Sequence, residues 1–118
     1  MTTWTWVGHS TVLIEEPAHR VLTDPLLTRR VAHLRRRRAL PEGGVTDVDL
    51  VLLSHAHMDH LHLASLRMVR PDARVVTPRG TGPLVRAAGF TDVVEVLAGD
   101  RVRSGPAVVE VVPARHPH

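Results

Sequence analysis

Val48-Asp49-Leu50-Val51-Leu52-Leu53 runs without a break into Ser54-His55-Ala56-His57-Met58-Asp59-His60, and Leu61 to Val69 follow before Pro71. This passage constrains the fold more tightly than any other. A short, nearly continuous run of Val and Leu reads as a strand covered on both faces. After it, Leu61, Leu63, Leu66 and Met68 are apolar while Arg67 and Arg70 are polar, which reads as a helix stopped by Pro71. The histidines between them therefore stand at the carboxyl end of a buried strand, just before a helix, where open α/β sheets place their ligand sites.

His55, His57, Asp59 and His60 follow an H-x-H-x-D-H spacing. Imidazole and carboxylate are side chains that borderline divalent metals prefer. Four such donors in one short turn exceed what a single tetrahedral ion usually takes from one segment. The spacing points to two ions, with His55 and His57 on one and Asp59 and His60 on the other. Two ions about 3.5–4 Å apart can hold a hydroxide and clamp both oxygens of a displacement. The competing reading is a solvated His-rich loop, since the chain carries 9 His in 118 residues.

Elsewhere the chain alternates strands and turns. Thr3 to Val7, Thr11 to Glu15 and Arg20 to Thr23 read as an antiparallel meander, with Pro17-Ala18 in one turn and Asp24-Pro25 at the end. Residues 26–45 are the least regular and close on Pro41-Glu42-Gly43-Gly44. Arg74 to Pro78 and Asp92 to Val96 are strands, and Gly82 to Gly89 is a short helix with Pro near its start and Gly at its end. Arg101 to Arg103 and Ala107 to Pro113 form a hairpin at the sheet edge. The expected architecture is α/β, a mixed β-sheet with two helices on one side.

A chain of 118 residues is one domain at most. With no Cys, disulfides and thiolate zinc sites are excluded. No apolar run reaches the ~20 residues of a membrane span, and the N-terminus lacks the charged start and apolar core of a secretory signal, so a cytoplasmic location is expected. All 15 basic residues are Arg, and the net charge is only +3.

These residues resemble the metallo-β-lactamase-fold hydrolases, in the branch containing N-acylphosphatidylethanolamine phospholipase D and ascorbate-6-phosphate lactonase. Thr5 to Ile14, Leu22-Thr23-Asp24-Pro25 and Val48 to Leu61 carry the match, with a weaker one at Pro113-Ala114-Arg115-His116. The resemblance implies an αβ/βα sandwich of which residues 1–118 supply the N-terminal half, as a partial domain truncated after the third metal motif. It implies that His116 completes the first metal site with His55 and His57. It also implies that a second half supplies a bridging acidic residue and a further His. Three His with one open position is the catalytic zinc pattern. Zinc is expected, with manganese or iron as alternatives because a carboxylate-rich second site suits them.

The implied activity is a hydrolase using metal-bound hydroxide on a phosphodiester, lactone or related small-molecule ester, with Asp59 binding the second metal and orienting the hydroxide. The rival reading is a non-catalytic metal-binding or nucleic-acid-binding module using Arg35-Arg36-Arg37-Arg38, although that run lacks interleaved aromatics. Asp24 reads either as a turn residue or as an acceptor for the second ring nitrogen of a ligand His. His9 is a loop or cleft residue, His62 a solvated or supporting one, and His118 a frayed tail. A lone half-sandwich would leave Val48 to Leu53 and Ala107 to Val112 facing water and would self-associate through that face.

Overall fold

Strict alternation of side chains in neighbouring strands decides the architecture. A computed structural model describes residues 3–8, 11–24, 46–54 and 60–112, with side chains over 12–24, 46–54 and 63–112. Strands β1 (Thr3–Gly8), β2 (Thr11–Glu16) and β3 (His19–Thr23) form the antiparallel meander expected from the sequence. Strands β4 (Leu50–Leu52), β5 (Arg74–Pro78) and β6 (Val93–Val96) then add in parallel, so one sheet runs β1-β2-β3-β4-β5-β6. Helix α1 (His60–Leu66) connects β4 to β5, and α2 (Gly82–Ala87) connects β5 to β6.

The register sorts the core into two layers. Leu13, Leu22, Val51, Val75 and Val93 lie side by side across five strands. All five pack in one cluster with Leu63 and Leu66 from α1 and Val85 from α2. Their neighbours Ile14, Val21, Leu50, Leu52, Val76 and Val94 point to the opposite face. Leu13, Leu22, Leu50 and Val51 are fully buried, and each contributes about 1.5–3 kcal/mol relative to an exposed side chain.

That opposite face carries a second, separate sheet. Strands β7 (Arg101–Ser104) and β8 (Ala107–Glu110) pair only with each other among the described residues, and Val102, Val109 and Val111 pack on the Val21–Leu50–Val76–Val96 cluster. The hairpin thus lies across the sheet instead of extending its edge. This corrects the expectation that Val48 to Leu53 would face water, since Val48, Leu50 and Val51 are fully buried and Leu53 nearly so. The exposed apolar groups of the hairpin are Val108 and Val112. A cleft of about 260 Å³ remains between the two sheets, lined by Ile14, Val21, Leu50, Leu52, Val109 and His19 among others.

The seam between the sheets closes on a buried His19, whose Nε2 lies 3.4 Å from Ser104 Oγ. Gly105 sits over this imidazole with φ +55, and a Cβ there would come within 3.0 Å of His19 Cδ2. Only glycine meets both the turn and the close approach.

Two expected boundaries shift. Helix α1 starts at His60 and ends at Leu66, three residues before Val69. Met68 and Val69 donate instead to Ser65 and Leu66 carbonyls in tighter turns, and the Arg70 N–H goes to Thr46 O. The last strand ends at Glu110. Residues 25–45, including Arg35 to Arg38, lie outside the described residues. Among the described residues no helix is long and apolar enough to cross a membrane.

Ion pairs line the amino ends of the parallel strands. The Asp49 carboxylate accepts the Arg20 N–H at 2.8 Å and Arg70 Nη2 at 3.0 Å, and Arg70 Nη1 donates to Asp47 at 2.8 Å. Arg74 Nε donates to Asp92 at 3.0 Å and its Nη1 to Arg103 O at 2.8 Å, tying the hairpin to the sheet. Burial pushes the Asp49 carboxyl up, but the Arg20 N–H and the Arg70 guanidinium outweigh it, and the group sits below its ordinary range. The hydrogen bond to Asp49, with the charges of Asp72 and Asp47, holds Arg70 above its ordinary value despite partial desolvation.

Candidate functional site

At the opposite, carboxyl ends of the strands, three described segments converge. β3 ends at Thr23 and is followed by Asp24; β4 ends at Leu52 and is followed by Leu53 and Ser54; β5 ends at Pro78. The two bonds Asp24 N–H to Leu52 O and Leu53 N–H to Val76 O, at 2.8 and 2.9 Å, hold these ends side by side. Five residues separate Ser54 from His60, the first residue of α1. The metal-ligating run expected from the sequence thus starts directly after Ser54, and its last donor, His60, is the first residue of α1.

His55, His57 and Asp59 themselves lie outside the described residues, as do the His60 and His62 side chains and His9, His116 and His118. Among the described residues no group of three His, Cys, Asp or Glu side chains is arranged to hold a metal. The route toward His116 is described as far as Val112. Gly99 N–H donates to Val111 O at 2.7 Å, and Val111 N–H to Asp100 O at 2.9 Å. Gly99 and Asp100 follow the carboxyl end of β6, so β8 brings the chain back to the same end of the sheet as Ser54.

Asp24 is the best-defined polar group at this end. Its φ of 38 is left-handed, a conformation that Asp tolerates better than most residues. Its carboxylate accepts the Ser54 N–H at 2.8 Å on Oδ1 and the Ser54 hydroxyl at 2.6 Å on Oδ2. Of its two expected roles, the turn residue is borne out, and the carboxylate reaches the residue just before His55. Ser54 carried no signal in the sequence, because its partner lies 30 residues away. Beyond β5, the buried Thr77 hydroxyl pairs with that of Thr81, and Thr81 Oγ1 donates to Pro78 O at 2.6 Å. The Glu95 carboxylate accepts the Gly80 and Gly82 N–H groups at 3.2 and 3.0 Å, fixing the turn that enters α2.

The donor types fit a divalent ion: three imidazoles and a carboxylate fall within the six residues that follow Ser54.

Comparison with known proteins agrees with this layout. A UPF0173 protein of Pyrococcus abyssi is 29% identical over 112 residues, covering 95% of this chain and 48% of its own length. A UPF0173 metal-dependent hydrolase of an Anaeromyxobacter species is 32% identical, covering 95% of this chain and 42% of its own length. The chain therefore spans about half the length of these relatives or somewhat less. Among solved structures, CmlA, a diiron β-hydroxylase from Streptomyces venezuelae, superposes with a TM-score of 0.67 at 27% identity, covering 95% of this chain and 24% of that one. The family model described as a β-lactamase superfamily domain matches residues 19–118, and the chain belongs to that family, with the architecture of an N-terminal half of its fold.

Proposed function

We propose that this chain is the metal-binding half of a metal-dependent hydrolase that cleaves a phosphodiester, a lactone or a related small-molecule ester. The observation that carries the reading is that the H-x-H-x-D-H run begins directly after Ser54, at the carboxyl end of a largely buried strand, and ends on His60, the first residue of α1. Two likenesses support parts of it: the Anaeromyxobacter relative bears the name metal-dependent hydrolase, and CmlA, a diiron β-hydroxylase, supports the metal site and not the hydrolysis. The substrate class follows the resemblance to the phospholipase D and ascorbate-6-phosphate lactonase branch.

In this reading His55, His57 and His116 hold one ion, and Asp59 and His60 contribute to a second. Zinc suits the three imidazoles, while manganese or iron suits a site richer in carboxylate. A bound divalent ion supplies Lewis acidity and brings the pKa of coordinated water toward ~7. Asp59, besides contributing to the second ion, would orient the attacking water by accepting a hydrogen bond from its O–H.

The test is turnover of an aryl phosphodiester and an aryl lactone by the intact protein with added zinc or manganese. Turnover that is lost with chelator and with Asp59→Ala is expected. Equal rates in wild type and Asp59→Ala would contradict the assignment, and a salt-sensitive gel shift without turnover would favour a nucleic-acid-binding module.

A further inference from the structure

We draw no further inference here: the strongest candidate, the apolar cleft of about 260 Å³ between the six-stranded sheet and the β7–β8 hairpin, carries none because nothing in the structure shows what covers it.

Discussion

The two ends of the parallel strands handle charge in opposite ways. At the amino ends, carboxylates meet guanidinium groups: Asp49 and Asp47 share Arg70, and Asp92 takes Arg74. At the carboxyl ends, the described carboxylates of Asp24 and Glu95 accept main-chain N–H groups and a hydroxyl. Strand ends leave unpaired backbone groups in both places. One end is closed by ion pairs that stabilise the fold and leave the charges neutralised. The other is closed by side chains that shape turns, and the sequence that follows it, from His55 to His60, carries the imidazoles and the carboxylate of the expected metal run. The ion pairs and the candidate site thus stand a strand's length apart, and the two ends are expected to respond independently to substitution.

The largest break in that contrast comes from Arg70→Ala. It leaves Asp47, Asp49 and Asp72 without their shared cation. Partly exposed pairs each contribute modestly, so a loss of about 1–2 kcal/mol is expected for the group, read from the midpoint of urea unfolding. Zinc affinity should stay at the wild-type value; a loss of affinity without a change in melting would mean the two ends are coupled.

A smaller effect sharpens the same contrast through pH. The folded Asp49 carboxyl lies below its ordinary value of 3.8. The folded state therefore binds the proton less readily than the unfolded chain, and the stabilisation is present above that ordinary value and fades as pH falls through the lower folded one. Asp49→Asn removes this dependence. Its urea midpoint should fall less steeply than that of wild type between about pH 5 and pH 2. Parallel acid limbs in the two proteins would show that other carboxylates carry the acid sensitivity.

Much of this layout is legible in the residues. The apolar runs around Leu22, Val51 and Val75 announce buried strands, and their spacing around two helical stretches announces an α/β sheet. Local pattern stops short where partners are distant. Val102, Val109 and Val111 alternate like any strand residues, and nothing in the alternation says whether their hairpin extends the sheet or folds across it. The end of α1 is misjudged because Met68 and Val69 keep an apolar rhythm, while the decisive event is a bond from Arg70 N–H to Thr46 O. The Asp24–Ser54 pair is invisible for the same reason. The candidate metal donors are legible as a motif, and the structure contributes their frame: a buried strand before them, a helix that begins at the last of them, and β8 returning the chain to the same end.

The most direct test of this account is the metal content of the purified protein after exhaustive dialysis, measured by elemental analysis for wild type and for the His55→Ala/His57→Ala double variant. Roughly one equivalent or more of a transition metal per chain in the wild type, lost in the double variant while the metal-free melt is unchanged, is the predicted result. Less than about a tenth of an equivalent in the wild type, or a content that the double substitution leaves untouched, would contradict the claim that the carboxyl end of β4 launches a metal site.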